Sequence, residues 1–407
     1  MSSQVDRIAR RAVGAMFFLL GAGYASWVSR IPAMRDRLGL GDRDLGLLLL
    51  ATAVGAIAAF RSAARLTARY GSRRVTQVSS ALMCVSVALP GFAPTPLWAA
   101  FALAAVGMST GIMDVAMNAH GVEVERRIGR PILGSLHGLF SLGGLVGAGA
   151  GALAASQGLS SITHLVAAGI VFEVFALFFG RTLLPHELSR ESPHEEPSSD
   201  APPAHSFTRP NGILIALGAV AFCSSVGEGA MADWSAVYLR DILHTSEAVA
   251  PLGFAAFSLA MLLGRFSGDR LTLRFGSVGI VRYGGLLVAA GLAFGLITNT
   301  VPTTILGFLC VGLGLSVVMP TAFRASGRVP GVAPSAGLAT MATLGYGGFL
   351  LGPPAIGFVS EHFTVRGGLA VVVVLAIVLT ALAPSVEGRP LRPGAAFDWL
   401  TSRVTRS

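Results

Sequence analysis

Residues 66–72 read LTARYGS and residues 271–277 read LTLRFGS, so one short segment recurs after 205 positions. Two shorter matches accompany this repeat. VG at residues 106–107 recurs at the same distance, and ASW at residues 25–27 recurs after 207 positions as ADW. Each match alone is at the level of chance, but three at nearly one distance indicate a duplication. The two halves of the chain are therefore predicted to share one fold.

Apolar runs surround both copies of the repeat. A helix needs about 20 apolar residues to cross the hydrocarbon core of a bilayer. We predict twelve spans, at residues 12–28, 45–66, 75–93, 97–119, 132–155, 162–184, 212–238, 248–264, 277–297, 302–323, 335–358 and 367–384. Of the 407 residues, 53% are hydrophobic and only 13% are charged, whereas soluble domains carry about 25% charged residues. The sequence therefore predicts an all-α membrane protein, and its composition excludes a disordered chain and a disulfide scaffold.

A polar segment separates the first six spans from the last six. Residues 185–209 are rich in Pro, Ser, Glu and His and contain too few apolar residues to build a core, which predicts a flexible cytoplasmic linker. We therefore predict an N-terminal six-helix bundle at 1–184, a C-terminal six-helix bundle at 210–384 and a cytoplasmic tail at 385–407. The linker histidines His186, His194 and His205 could bind a metal, but we favour a solvated linker. The three cysteines lack the spacing of a metal site, so we expect neither a metal nor a cofactor.

The basic residues lie mostly on one side of this topology. All 30 are Arg, and the formal net charge is +9. In the loops and tails, 23 Arg fall on the side of the N-terminus and six on the other side. Because basic residues concentrate on the cytoplasmic side, we predict a multi-pass protein of the cell membrane with both termini in the cytoplasm. The charge is spread along this face instead of forming one patch, so we expect no nucleic-acid partner.

The second copy of the repeat lies in a longer motif. Residues 264–271 read GRFSGDRL and are followed by RFG at 274–276, and this segment resembles the signature loop of the major facilitator superfamily. The first-half copy is degenerate, since Ala64 occupies the place of Asp269. The twelve spans, the duplication and the central linker extend the resemblance over the whole chain. It implies two pseudo-symmetric six-helix bundles with a substrate site between them, near the middle of the bilayer.

Within the superfamily, the chain is most similar to the fucose-permease-like and rhizopine-locus membrane proteins. The similarity rests on four segments, WVSRIP at 27–32, DVAMN at 114–118, SLHGLFSLG at 135–143 and GEGAMADWS at 227–235. It implies a secondary transporter.

Charged side chains inside a membrane are costly and mark functional sites. Gly111, Asp114 and Asn118 are spaced at i, i+3 and i+7 and share one face of span four. Low dielectric disfavours the charged form of a carboxyl group, which lets such a group take up and release a proton. Fucose-permease-like proteins place an acid and an Asn at this spacing, and the resemblance implies a proton-coupling role for Asp114. The alternative is a structural Asp bonded to a neighbouring helix.

The chain departs from this subgroup in span one, where Val28 replaces a second acidic residue. Glu228 in span seven is predicted to supply the second proton-coupling carboxylate from the other half. Asp233 lies five residues further on and does not share its helix face. We predict that Asp233 contacts the substrate, and the alternative is an ion pair with an Arg such as Arg30.

Several other residues are candidates for substrate binding. Aromatic faces stack on sugar rings and on cations, and spans one and seven line the cavity in this superfamily. The predicted substrate residues are therefore Tyr24, Trp27, Asn118, His137, Asp233 and Trp234. For the two Trp residues the alternative is a membrane-interface belt, and for His137 it is a packing role.

Opposite charges follow spans two, four and eight on the predicted cytoplasmic side. Such a cluster can hold the two halves together on that side and bias the transporter between its states. The predicted cytoplasmic gate comprises Arg73, Arg74, Glu123, Arg127, Asp269 and Arg270. The alternative for most of these Arg residues is contact with lipid headgroups.

These features favour one function over three others. We expect a secondary transporter of a small polar solute, sugar- or polyol-like, that is coupled to protons, works by alternating access and acts as a monomer. The alternatives are a proton-driven exporter of amphipathic compounds and a non-transporting membrane sensor or scaffold with the same fold. An enzyme is not expected, because the sequence contains no phosphate-binding loop, nucleophile elbow or metal cluster.

Overall fold

The structure is a computed structural model that describes residues 4–129, 132–184, 212–330, 332 and 334–387. The predicted linker at 185–209 and residues 388–407 of the predicted tail lie outside the described residues, and so does the side chain of Asp269.

The first half of the chain forms six long helices. Their bounds are α1 Gln4–Val28, α2 Asp42–Tyr70, α3 Ser72–Ser86, α4 Pro96–Ile128, α5 Leu133–Ser156 and α6 Ser161–Gly180. A short helix, Ile31–Leu38, follows α1, and another, Leu89–Phe92, follows α3. Within the described residues, this half contains no strand.

The second half repeats this arrangement with two continuous pairs of helices. It begins with α7, Gly212–Asp241. The element Leu252–Thr298 is broken at Gly276 into α8 and α9. Next comes α10, Val301–Leu315, which continues after a short break as Val318–Ser326. The element Pro334–Leu382 is broken at Phe363 and Thr364 into α11 and α12, and a 3-10 turn, Ala383–Glu387, follows it.

Length and hydropathy identify these helices as membrane spans. Among the described residues, ten helical segments are long and apolar enough to cross a membrane, and 252–268 is a shorter apolar helix. The longest of the ten, Thr340–Glu387, contains most of α11 and all of α12. The predicted fold class, an all-α membrane protein with twelve helices in two six-helix halves, is confirmed.

The repeated segments have the same backbone turn. Gly71 separates α2 from α3 with φ 82° and ψ 151°, and Gly276 separates α8 from α9 with φ 72° and ψ 166°. This region of backbone conformation is essentially restricted to glycine. The sequence repeat therefore marks the same sharp turn between two spans in each half.

Replacing Gly276 by Ala is expected to destabilise the protein through backbone strain alone. No atom lies within 4 Å of the position that the new Cβ would take, so the cost of about 1–3 kcal/mol comes from the positive φ. The apparent unfolding temperature of the purified protein should fall by a few degrees. Gly279→Ala is the control, because that glycine lies within α9 and its Cβ would make only ordinary contacts, at 3.5 Å and beyond. Equal stability of the two variants would contradict the expectation.

The two halves meet along two pairs of helices, α2 with α11 and α5 with α8. Small residues permit the close approach. A Cβ added to Gly46 would lie 3.0 Å from the Cα of Gly357, and one added to Gly144 would lie 3.1 Å from Oγ of Ser258. Small residues play this role in membrane helices, where van der Waals packing drives association. These contacts leave space between the halves at the centre of the bundle.

Candidate functional site

A large cavity lies between the two halves. It has a volume of about 470 Å³ and its polar lining consists of Asp114, His137, Glu228, Arg265, Ser316 and Arg324. We call the side of the bundle that carries residues 66–72 and 271–277 the repeat-loop side. Because the wall includes Gly134 at the start of α5 and Phe323 near the end of the α10 continuation, the large cavity extends towards the repeat-loop side.

Asp114 lies on the wall of this cavity, in α4. Nδ2 of Asn118, one turn further along the helix, donates to Oδ1 of Asp114 at 3.0 Å and to its backbone oxygen at 2.8 Å. Asn118 itself is not among the residues that line the large cavity. The predicted pair is therefore close together, with Asn118 holding the carboxyl group that faces the cavity.

Glu228 enters the large cavity from α7 and lies beside a basic residue. Nη2 of Arg265 is 3.7 Å from Oε2 of Glu228, and Oγ of Ser224 donates to Oε1 of Glu228 at 3.3 Å. Both charged side chains are mostly buried, with 18% of Glu228 and 17% of Arg265 exposed. The charge of Glu228 is thus largely balanced within the second half.

Arg265 also joins the two halves at this depth. Its Nη1 donates to Oγ of Ser141 at 3.0 Å and to the backbone oxygen of His137 at 3.3 Å, both in α5. The sequence places Arg265 at the edge of the signature loop, where it counts as one more basic residue of the predicted cytoplasmic side. It is a site residue that the prediction missed. Its position one helical turn before Asp269, still in an apolar run, is the signal that marks it as buried.

A smaller cavity lies beyond the large one, towards the side of the bundle opposite the repeat-loop side. It has a volume of about 160 Å³, and its wall includes Tyr24, Thr52, Phe60 and Asp233. Tyr346 and Phe349 of α11 line both cavities and lie between them.

Asp233 is the charged residue of the small cavity. It is 8% exposed and forms no hydrogen bond or ion pair with any residue that the structure describes. The predicted alternative of an ion pair with Arg30 is wrong. Arg30 donates from Nε to Nδ1 of His164 at 3.0 Å, and its Nη1 lies 3.7 Å from Glu247.

The two Trp residues lie away from both cavities. Trp27 is 2% exposed and Trp234 is completely buried, and both belong to the hydrophobic core. Neither lines the large or the small cavity in the described part of the chain. In this structure they pack the bundle and lie neither at the predicted substrate site nor in an exposed interface belt. His137 does line the large cavity, and its ring also packs edge-on against Phe17, with 5.2 Å between the ring centroids.

Ion pairs connect the halves on the side opposite the repeat loops. Arg35 pairs with Asp241, and Arg240 pairs with Asp36. In addition, the pair of Arg30 with Glu247 described above connects the turn after α1 to the segment before α8. These charges follow α1 and α7, which occupy equivalent positions in the two halves. Their pairing holds this side of the bundle together.

Three of the predicted gate residues of the repeat-loop side have partners within the first half. Nε of Arg127 lies 2.8 Å from Oδ1 of Asp6, and Glu123 accepts a hydrogen bond from Oγ of Ser72 at 2.8 Å. Arg73 donates to the backbone oxygen of Arg181 at 2.9 Å. Arg74 and Arg270 are exposed. Since the side chain of Asp269 lies outside the described residues, a latch between the halves on this side stays a prediction.

Comparison with known proteins gives the family. A family model described as the Major Facilitator Superfamily matches residues 12–333. The chain is 35% identical over 370 residues to an uncharacterised MFS-type transporter of Yersinia pestis, which covers 91% of this chain and 94% of that protein. It is 30% identical over 370 residues to the membrane protein MosC of Rhizobium meliloti, covering 90% of this chain and 88% of MosC.

A solved structure has the same fold. A bacterial homologue of the human lysosomal transporter Spinster, in an inward-facing and unoccupied conformation, matches with a TM-score of 0.69 at 16% identity, over 95% of this chain and 98% of the other. The resemblance predicted from the loop at 264–271 is confirmed by these comparisons. The chain belongs to the major facilitator superfamily, a family of membrane transporters and not of enzymes.

Proposed function

We propose that this protein moves a small polar solute, sugar- or polyol-like, across the cell membrane together with protons, by alternating access and as a monomer. The observation that carries the proposal is the large cavity between the two halves. It places two carboxyl groups, Asp114 and Glu228, and one guanidinium, Arg265, at membrane depth. Such groups are costly in a membrane and mark substrate and proton pathways.

The orientation of the chain supports a cytoplasm-facing state. The Arg distribution assigns the repeat-loop side and both termini to the cytoplasm. The large cavity extends towards that side. On the other side, the ion pairs Arg35–Asp241 and Arg240–Asp36 hold the halves together. Transport then requires these outer pairs to open while the cytoplasmic ends of the bundles close.

Asp114 is the proposed proton carrier. The titratable and charged groups that line the large cavity with it are His137, Glu228, Arg265, Arg324 and Tyr346. The charge of Glu228 is balanced by Arg265 at 3.7 Å, whereas the polar partner of Asp114 is the neutral amide of Asn118. A carboxyl group without a basic partner in a low-dielectric site favours its protonated form. Opening the site to one side of the membrane and then to the other lets this proton be taken up and released.

Glu228 and Arg265 are proposed to act together with Asp114. Protonation of Glu228 would remove the charge that balances Arg265, which also donates to Ser141 in the other half. Arg265 thus connects the carboxyl group of Glu228 to the contact between the halves.

The lining of the large cavity suits a solute with several hydroxyl groups. Arg265 and Ser316 supply donors, and Asp114 and Glu228 supply acceptors. Tyr346 and Phe349 add aromatic faces against which a sugar ring can stack. A hydroxyl group both donates and accepts, so a polyol can satisfy this mixed set of partners. For these reasons we favour a sugar- or polyol-like solute over an amphipathic compound.

Flux in proteoliposomes under an imposed pH gradient tests the proposal. D-glucose, D-mannitol and myo-inositol are the probes. A gradient of about two pH units supplies about 2.7 kcal/mol per proton, enough for roughly 100-fold accumulation at one proton per solute. We expect at least one probe to accumulate above its external concentration and to leave when a protonophore is added. Flux that ignores the gradient would contradict proton coupling, and no flux of any probe would contradict the solute class.

A further inference from the structure

We propose that the small cavity binds the ammonium group of a cationic solute, so that the substrate is an amino-sugar-like or amino-polyol-like compound. The inference rests on the proposed function and narrows its solute class. It depends on the small cavity at Asp233, whereas the proton-coupling role above depends on the large cavity at Asp114. The two proposals therefore concern different residues and fail separately.

The charge of Asp233 is the first argument. Its side chain is more than nine-tenths buried, lines the small cavity, and has no hydrogen bond or ion pair within the described part of the chain. The basic residues on the same side of the bundle are engaged elsewhere, Arg30 with Glu247 and Arg240 with Asp36. A buried carboxylate requires a counter-charge or a proton. The described residues supply no counter-charge, so Asp233 takes either a proton, as argued for Asp114, or an ammonium group from a ligand.

The polar atoms of the cavity match an ammonium group. An ammonium group has three N–H donors and no acceptor. The wall contains the carboxyl group of Asp233 and the phenolic oxygen of Tyr24, both of which can accept from such donors. Thr52 also lines the wall, but its Oγ1 is fully buried and is not counted among the acceptors. One charged and one neutral acceptor thus border the same small space.

The aromatic residues favour an organic cation over a metal ion. Phe60 and Tyr346 pack with 4.6 Å between their ring centroids, and both line the small cavity together with Phe349. Aromatic faces attract organic ammonium groups. The rest of the wall is mostly hydrocarbon, including Leu49 and Ile57, whereas hard metal cations require shells of six or more oxygen ligands. The wall therefore suits an ammonium group attached to carbon.

The position of the cavity explains how one solute would use both spaces. Tyr346 and Phe349 line both cavities, and α7 carries Glu228 to the large one and Asp233 to the small one. A volume of about 150 Å³ holds a group as large as benzene, so the small cavity, at 160 Å³, admits the charged end of a solute. The hydroxyl groups would remain in the large cavity, against Arg265 and Asp114.

Binding of three matched probes tests the inference. D-glucosamine, D-glucose and D-glucuronate share a ring and differ in charge, so isothermal titration of the full-length protein at a pH where the amine is protonated isolates the charge. We expect D-glucosamine to bind at least tenfold more tightly than either of the others. Equal or tighter binding of D-glucose or D-glucuronate would overturn the inference and leave the proposed function intact. No binding of any probe would count against the solute class of the proposed function as well.

Variants of Asp233 identify the site. Asp233→Asn should weaken D-glucosamine binding at least tenfold and remove the preference for D-glucosamine over D-glucose, because the charge is removed while the size of the side chain is kept. Asp233→Glu keeps the charge and should retain the preference for D-glucosamine, which separates a binding role from a folding defect. Asp44→Asn is the matched control, since Asp44 lies at the start of α2 on the same side of the bundle but is exposed and outside the small cavity. Retention of the preference in Asp233→Asn, or its loss in Asp44→Asn alone, would overturn the assignment.

Discussion

Replacing Asp114 by Asn is expected to abolish proton-driven accumulation of solute and to spare the exchange of solute between the two sides. The amide keeps the size and the hydrogen-bonding capacity of the side chain, so Asn118 retains a partner where it now donates to Oδ1 at 3.0 Å. The amide cannot carry a proton at physiological pH. Accumulation ratios in proteoliposomes should therefore fall from the gradient-driven value to about 1, while counterflow of labelled solute continues.

The matched control for this substitution is Asp44→Asn. Asp44 is an exposed residue at the start of α2, outside both cavities. This change should leave accumulation unaffected. Full accumulation by Asp114→Asn would exclude Asp114 as the proton carrier. Ligand binding that is insensitive to Asp114→Asn, together with no transport by the unmodified protein, would favour the alternative of a non-transporting sensor or scaffold.

Replacing Gly46 by Leu is expected to stop transport by holding the outer ends of the two halves apart. A Cβ at this position would lie 2.6 Å from the backbone oxygen of Pro353 and 3.0 Å from the Cα of Gly357. Backbone atoms cannot move aside as a flexible side chain can, and overpacking costs about 1–3 kcal/mol or more. Since about 1.4 kcal/mol is a tenfold change in an equilibrium, the population of the cytoplasm-facing state should fall by about fivefold to 150-fold.

The accessibility of the small cavity to a reagent added from outside measures this change in population. In a variant without native cysteines, Ala53→Cys on the wall of the small cavity serves as the reporter, and a membrane-impermeant maleimide is added from outside. Labelling should rise with Gly46→Leu. Gly149→Leu is the control, because no atom lies within 4 Å of the Cβ position at Gly149. Unchanged labelling with normal transport would show that the approach of Gly46 to Gly357 is not needed in the transport cycle.

The folded arrangement of the spans could be predicted from the sequence because it depends on local patterns. The apolar runs determine the helices, and the repeat at 66–72 and 271–277 determines the turns at Gly71 and Gly276. The ends of the helices could be predicted less well from the sequence. Hydrophobicity predicts α4 at 97–119, but the helix continues to Ile128, because its polar last turns keep their backbone hydrogen bonds until Gly129 adopts φ 70°.

The candidate site could be predicted only in part, because it depends on contacts between distant segments. Asp114 and Asn118 form their hydrogen bonds within one helix, and their spacing alone indicates the pair. Arg265 requires knowledge of how α8 packs on α5, which the sequence does not contain. Trp27 and Trp234, in contrast, were predicted at the site but lie outside it. Their equivalent positions in the repeat indicate a shared place in the fold, but they pack in the core and line neither cavity in the part of the chain that the structure describes.

The outer ion pairs also could not be predicted from the sequence. Each partner is an ordinary charged residue after a span, such as Asp36 after α1 or Asp241 at the end of α7. Both Arg side chains are mostly buried, with 18% of Arg35 and 19% of Arg240 exposed, while Asp36 is exposed. Pairs that still reach water on one side suit a gate that must open in every cycle.

Coupling between solute and proton movement is the central claim, and one measurement tests it most directly. Lightly buffered proteoliposomes with a trapped pH-sensitive dye receive whichever of D-glucosamine and D-glucose the protein binds more tightly, with no pH gradient imposed. We expect the solute to drive protons across the membrane in vesicles with the unmodified protein and to drive none with Asp114→Asn. Uptake of the solute by the unmodified protein without any change in internal pH would contradict the claim.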